Sequence, residues 1–201
     1  MVSLDRFVEG LCRIPEREFT LPGVARYIQD SPLEPASLGR YLFYQPTHYT
    51  RNLVYKCDLF EVIAVCWDLG QGSPIHNHQG QNCWMAVPIG RLGVQNYELL
   101  ASDDGGYCEL RASGRFEMDP AHPSFVNREE PIHAVFNAPA PGERATSLHV
   151  YSRPYDRCLV YSLEKKSCSE VPLFYDSEYG RPTSPTLGAV SDPHPGPAVP
   201  R

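Results

Sequence analysis

Two histidines separated by one residue, His76 and His78, are the strongest chemical signal in the sequence. They follow an apolar run over residues 62–67 and a turn-like Gly-Gln-Gly-Ser-Pro stretch. Because alternate side chains of a β-strand point to the same face, both imidazoles could bind one metal ion. Two ligands leave the coordination incomplete, so a third ligand must come from elsewhere in the chain. His133 and Cys83 are the nearest candidates.

A second signal is an alternating pattern further along the chain. Ser147, His149 and Tyr151 fall on one face of a predicted strand, and the apolar residues between them fall on the other. The polar face is either outward and solvated, or it lines a ligand cavity inside a barrel, whose interior normally takes apolar side chains. The spacing alone leaves both interpretations open.

The composition and charge exclude several classes of function. The chain has 201 residues, 42% of them hydrophobic, and a net charge of −6 without a Lys/Arg cluster, which argues against a nucleic-acid partner. No run approaches the roughly 18 apolar residues of a membrane span, and the N-terminus does not resemble a signal peptide. We therefore expect no membrane partner, and we also expect a monomer and a cytoplasmic location. Seven scattered cysteines without a C-x-x-C pair predict reduced thiols rather than a disulfide framework.

The elements that must position these residues are mostly strands. Helical spacing occurs over residues 3–12 and 20–30, with Thr20 as the predicted N-cap, and a short helix is possible between Pro35 and Leu38. Many short strands without intervening helices favour an antiparallel sandwich or barrel. The predicted strands span residues 48–56, 59–68, 74–79, 82–90, 92–100, 107–112, 115–118, 124–127, 132–138, 144–152 and 157–164.

Two spaced motifs resemble those of the cupin barrels. The first runs from Gly70 through the two histidines and Cys83 to Gly90, with the cysteine where most cupins carry a glutamate. The second consists of His133 and Asn137. Together with YTRN at residues 49–52 and SLHVYSRPYDRC at residues 147–158, they resemble the cysteine dioxygenases, which are non-haem iron cupins, over roughly residues 40–182.

This resemblance implies an all-β-dominated fold, a cupin (jelly-roll) β-barrel with a short helical N-terminal segment. We expect residues 1–40 to form that segment and residues 41–182 to form the dioxygenase domain. Residues 183–201 are rich in proline and cannot bury apolar surface, so a disordered tail is expected.

The resemblance also implies a metal and a reaction. His76, His78 and His133 would hold Fe(II), and the enzyme would add both atoms of O2 to the thiol of L-cysteine to give cysteine sulfinate. Three neutral imidazoles leave the full metal charge available to an anionic substrate. A zinc site with bound water is the alternative that spacing does not exclude.

Four further roles are implied for residues of the matching motifs. Arg51 would bind the substrate carboxylate through its planar fork, with Tyr49 as a second donor. Tyr151 would present its hydroxyl to the site, oriented by His149 and Ser147.

A thioether would join Cys83 to the ring of Tyr151. An inert buried thiol or a fourth iron ligand are the other interpretations of Cys83, and a permanent thiolate ligand would offset the charge that attracts substrate. The Arg153–Pro154 bond stands where the family tends to have a cis Ser-Pro bond. Rival functions are oxidation of 3-mercaptopropionate or cysteamine, and metal binding without turnover.

Overall fold

The computed structural model describes residues 1–126, 132–138 and 142–183. Two α-helices and two 3₁₀ helices precede the strands: α1 (Leu4–Arg13), Glu16–Glu18, α2 (Leu21–Asp30) and Pro35–Tyr41. The strands are β1 (Thr50–Lys56), β2 (Glu61–Trp67), β3 (Ile75–His76), β4 (Asn82–Ile89), β5 (Leu92–Ser102), β6 (Cys108–Met118), β7 (Ser124–Phe125), β8 (Ile132–Phe136), β9 (Ala145–Ser152), β10 (Arg157–Ser162), β11 (Ser167–Pro172), β12 (Ser177–Glu178) and β13 (Arg181–Pro182).

The strands form two sheets that enclose an apolar interior. One sheet has the order β13-β12-β1-β2-β9-β4-β7, and the other has the order β11-β10-β3-β8-β5-β6. Apart from the parallel pairing of β1 with β12, the paired strands are antiparallel. The interior cluster takes Ile63 and Val65 from the first sheet and Val94 and Val135 from the second. The predicted barrel architecture is confirmed.

The N-terminal helices cover the outer face of the seven-stranded sheet. Thr20 caps α2 as predicted, since its side chain accepts a hydrogen bond from the Gly23 backbone N–H at 3.3 Å. The apolar stripes of both helices are buried in one cluster with outward-facing strand residues such as Val62 and Leu148. The helical segment therefore covers the apolar back of the strands whose other face lines the interior.

The polar row of β9 faces the interior of the barrel. Ser147, His149 and Tyr151 are buried on the same face as Ala145, which belongs to the interior cluster. The alternate residue Leu148 packs under the helices. Of the two interpretations that the alternation left open, the solvated face is wrong and the inward face is observed.

The predicted strands differ from the observed ones in three places. Residues 107–112 and 115–118 form one continuous strand, β6, because the whole segment pairs with β5. The extended stretch around the first two histidines contributes only the two residues of β3. Strands β11, β12 and β13 have no predicted counterpart, since they carry few apolar residues.

The prediction of reduced thiols is wrong for one pair of cysteines. Cys108 and Cys168 form a disulfide at an S–S distance of 2.33 Å. The cause is topological: the Cys108 N–H donates to Lys166 O and the Cys168 N–H donates to Gly106 O, which places the two hairpin edges side by side. Sixty residues separate the two cysteines, so spacing gives no hint of this contact. The other five cysteines are free.

Two expectations concern a membrane span and the C-terminal tail. Within the described ranges, no helix has the length and apolar character needed to cross a bilayer. The expected tail, residues 183–201, lies outside the described residues except for Thr183. Its hydroxyl donates to Tyr175 O at 2.7 Å.

Candidate active site

Three histidines converge inside the barrel because two strands pair in register. His76 of β3 lies directly opposite His133 of β8, so the two side chains share a face. His78 follows two residues after His76, and the chain then turns at Gln79 and Gly80, both with positive φ. The candidate ligand atoms of the three histidines all lie within 4.8 Å of one another. They are the one such cluster in the described part of the chain.

The surroundings of His76 and His133 keep both rings neutral and leave nitrogen lone pairs for a metal. Burial lowers the pKa of His76 to about 4 and that of His133 well below its usual range. The Nδ1 of His76 lies 2.9 Å from Pro74 O, and a carbonyl only accepts, so Nδ1 carries the proton and Nε2 carries the lone pair. The Nε2 of His133 is buried and has no hydrogen-bond partner among the described residues. These donors fit a metal ion.

A chain of hydrogen bonds fixes the polar row of β9. The Trp67 indole N–H donates to Ser147 Oγ at 2.9 Å, and Ser147 Oγ lies 2.8 Å from His149 Nε2. His149 Nδ1 lies 3.0 Å from the hydroxyl of Tyr151. Burial, followed by the charge of Arg51, lowers the pKa of His149 to about 3, so the ring is neutral.

Only one assignment of the protons along this series of hydrogen bonds gives every donor an acceptor. The oxygen of Ser147 accepts from Trp67, so its own proton goes to His149 Nε2. The neutral ring of His149 then carries its proton on Nδ1 and donates to the Tyr151 oxygen. The hydroxyl proton of Tyr151 is left for an acceptor in the site. In the reverse direction the Ser147 proton would find no acceptor among these contacts.

Cys83 and Tyr151 are direct neighbours across two paired strands. Their Cα atoms are partners in the β4–β9 register, so both side chains point to the same face. Burial raises the pKa of the Cys83 thiol, which is therefore neutral. Its sulfur lies 4.0 Å from His149 Nδ1.

Arg51 and Tyr49 lie on the inward face of the first sheet. The Nη2 of Arg51 is buried and has no hydrogen-bond partner within the described ranges, while Nε donates to Phe174 O at 3.3 Å. The ring of Tyr49 stacks on Trp67 with centroids 4.6 Å apart. The structure thus brings Arg51 and Tyr49 to the wall that carries the polar row.

A buried carboxylate near the same wall has no counterpart among the predicted site residues. Glu61 is fully buried at the start of β2, directly opposite Tyr151 in the β2–β9 register. One of its oxygens accepts a hydrogen bond from Tyr175 and lies 3.6 Å from Lys56 Nζ. The other oxygen has no hydrogen-bond partner in the part of the chain that the structure describes. Its inward position in the strand alternation is the signal that could have revealed it.

Two further details lie at the end of β9. The ring of Tyr155 packs edge-on against Tyr151 with centroids 5.3 Å apart and also contacts His78. The sequence leaves open whether Arg153–Pro154 is cis; among the described residues the cis peptide bond is the one between Ser152 and Arg153. The side chain of Arg153 reaches Glu16 of the N-terminal segment at 2.6 Å.

The fold and the site together define a class of protein. Two sheets that enclose inward-facing histidines from β3 and β8 form a cupin barrel. The sequence profile of the family described as "Cysteine dioxygenase type I" matches residues 23–164, which is most of the chain. The chain belongs to the cysteine dioxygenase type I family, and it is accordingly an enzyme of the thiol dioxygenase class.

Several curated proteins are similar to this chain over most of its length. Human "Cysteine dioxygenase type 1" is 27% identical over 161 residues, which cover 79% of this chain and 78% of the human protein. The zebrafish (Danio rerio) protein of the same name is 26% identical over 183 residues, covering 90% of each chain. The rat protein is 28% identical over 147 residues, covering 73% of this chain and 72% of the rat protein.

Two solved structures illustrate more distant similarity. The protein TT1209 from Thermus thermophilus has a TM-score of 0.44 and 19% identity, covering 58% of this chain and 95% of that chain. A protein with a double-stranded β-helix domain from Klebsiella pneumoniae has a TM-score of 0.43 and 14% identity, covering 58% and 81% of the two chains.

Proposed function

We propose that this protein is an Fe(II)-dependent dioxygenase that converts L-cysteine and O2 into cysteine sulfinate. The main support is a row of hydrogen-bonding side chains, Ser147, His149 and Tyr151, on one wall of the barrel. This row lies near three converging histidines in an otherwise apolar interior. The reaction balances without a reductant, because both oxygen atoms of O2 end on the sulfur of one thiol.

The metal would be held by His76, His78 and His133. When bound, Fe(II) would supply redox activation of dioxygen and a cationic position for the thiol sulfur. The donor set supports this assignment, since three neutral imidazoles bring no charge of their own and suit iron, zinc and copper alike. The choice of iron over zinc therefore belongs to the proposal.

Arg51 would bind the carboxylate of the substrate. Its unpartnered Nη2 is buried, and a buried donor without an acceptor is costly, which supports a role in binding a ligand. A carboxylate fits the planar fork of a guanidinium better than any neutral acceptor. A substrate with a carboxylate is thus favoured over cysteamine, which lacks one.

Tyr151 would donate its hydroxyl proton to the substrate or to oxygen in the site. Ser147 and His149 support this role, because in this proton arrangement His149 donates to the Tyr151 oxygen and the Tyr151 hydroxyl remains a donor. Burial raises the pKa of Tyr151 well above its ordinary value, so the group stays a donor at neutral pH. The apolar residues of the interior cluster would exclude bulk water and strengthen these contacts.

A panel of small thiols tests the proposal. Protein loaded with Fe(II) is supplied with L-cysteine, cysteamine or 3-mercaptopropionate, and oxygen uptake and product mass are measured, with Zn(II)-loaded protein as control. We expect oxygen uptake with L-cysteine, sulfinate as the product, and no turnover with zinc. Faster turnover of either other thiol, or metal binding without oxygen uptake, would contradict the proposal.

A further inference from the structure

The segment that follows β11 makes a set of contacts to Arg51. The backbone N–H of Arg51 donates to Asp176 Oδ2 at 2.8 Å, and the backbone N–H of Asp176 donates to Arg51 O at 2.8 Å. The Arg51 Nε–H donates to Phe174 O at 3.3 Å. Residues 174–176 therefore hold both the backbone and the side chain of the arginine.

Asp176 takes the place of a missing strand partner. On one side, Arg51 pairs with Val65 of β2. On the other side, the parallel pairing of β1 with β12 begins only at Asn52. A backbone N–H that is left without an acceptor is costly, and the carboxylate of Asp176 supplies that acceptor one residue before the strand pairing begins.

The second oxygen of Asp176 has its own partner. Oδ1 lies 3.0 Å from His48 Nε2, and His48 Nδ1 lies 2.9 Å from Thr47 Oγ1. The Asp176 side chain is 33% exposed, so water still solvates it and the desolvation cost of the carboxylate is small. The carboxylate is thereby fixed between the residues that precede β1 and the first residues of β1.

We propose that Asp176 is a positioning residue that fixes the direction in which Arg51 presents its guanidinium to the substrate carboxylate. Arginine has a long side chain, so a small rotation of its backbone moves the guanidinium by a large distance. Displacements of about 1 Å in a binding group can cost up to roughly 100-fold in catalysis. This inference rests on the proposed function, because it assigns Arg51 to the carboxylate.

The test compares substitutions at Asp176 with a matched control. Asp176→Ala removes both acceptors, whereas Asp176→Asn keeps one carbonyl oxygen for the Arg51 N–H. Asp119→Ala is the control, because Asp119 accepts from the Ala121 N–H and from the His122 ring in a loop outside the site. Should Asp176→Ala not fold, Asp176→Ser gives a second short variant that cannot span the same distance.

Binding of thiols to the Fe(II)-loaded protein without oxygen provides the first readout. In Asp176→Ala, we expect the affinity for L-cysteine to fall about tenfold, the affinity for cysteamine to stay unchanged, and Asp176→Asn to restore most of the loss. The control should match the native protein with both thiols. Equal losses with both thiols in Asp176→Ala, or no loss at all, would overturn the proposal.

Hydrogen exchange of the Arg51 backbone amide provides a readout that does not depend on substrate. We expect faster exchange at this amide in Asp176→Ala and native protection in the control. Unchanged protection would overturn the positioning role. Failure of the proposed function would give a different result. The native protein would then bind L-cysteine no better than cysteamine, while the Arg51 amide would still exchange faster in Asp176→Ala.

Discussion

Replacing Arg51 by alanine should weaken the binding of substrates that carry a carboxylate and leave the binding of those without one little changed. The structure leaves one buried donor, Nη2, without a partner among the described residues, and this donor sets the minimum size of the effect. A hydrogen bond to a charged group contributes about 1.5–3 kcal/mol. Its loss corresponds to roughly 10-fold to 150-fold weaker binding of L-cysteine. Cysteamine has no carboxylate, so its reaction should change little.

The assay is oxygen uptake by Fe(II)-loaded protein over a range of L-cysteine and cysteamine concentrations, with iron content measured for every variant. Arg51→Lys serves as a second variant, since it keeps the charge and loses the planar fork, and it should recover only part of the affinity. Arg91→Ala controls for loss of a cation, because Arg91 is exposed and paired with Glu117. Equal losses of kcat/KM with both thiols would refute the carboxylate role.

Three further predictions concern the interior of the barrel. Tryptic mapping after turnover should recover the peptides of Cys83 and Tyr151 joined by a thioether, and Cys83→Ser should abolish the joined species. Tyr175→Phe removes the hydrogen bond to Glu61, so urea unfolding should show a loss of about 1–3 kcal/mol; no change would contradict the importance of this bond. Burial lowers the pKa of His149 to about 3 in the folded protein. As the pH falls, the unfolded chain therefore protonates this histidine at a higher pH than the folded protein does. Unfolding free energy should therefore fall as pH drops from about 6.5 towards 3, by at most roughly 1.4 kcal/mol per pH unit for this group, and His149→Gln should flatten that slope.

Local patterns in the sequence predict the residues of the site better than they predict their surroundings. The alternation of Ser147, His149 and Tyr151 establishes that they share a face, but not which face. The helices decide this, because they cover the outward residues and leave the polar row inside. The pairing of His76 with His133 depends on the register of two strands that lie far apart in the chain, which the resemblance to cupins supplies.

Contacts between distant segments escape prediction from the sequence. Nothing around Cys108 and Cys168 predicts that their strand edges meet. Asp176 contacts Arg51 across 125 positions of the chain, a separation at which no spacing rule predicts a contact. Glu61 resembles a solvated charge at a strand end until the sheet closes over it. The disulfide and the Asp176 contact require tertiary packing that neither spacing nor composition encodes locally, whereas for Glu61 the strand alternation gives the face but not the burial.

We propose that His76, His78 and His133 would hold Fe(II), which would supply the chemistry for adding both atoms of O2 to the thiol of L-cysteine. The most direct measurement supplies L-cysteine and ¹⁸O₂ to Fe(II)-loaded protein and weighs the product, alongside a His133→Ala variant whose iron content is measured. We expect a sulfinate that carries both labelled atoms, together with loss of iron and of product in the variant. A product with a single labelled atom, or full turnover by the His133→Ala protein, would contradict it.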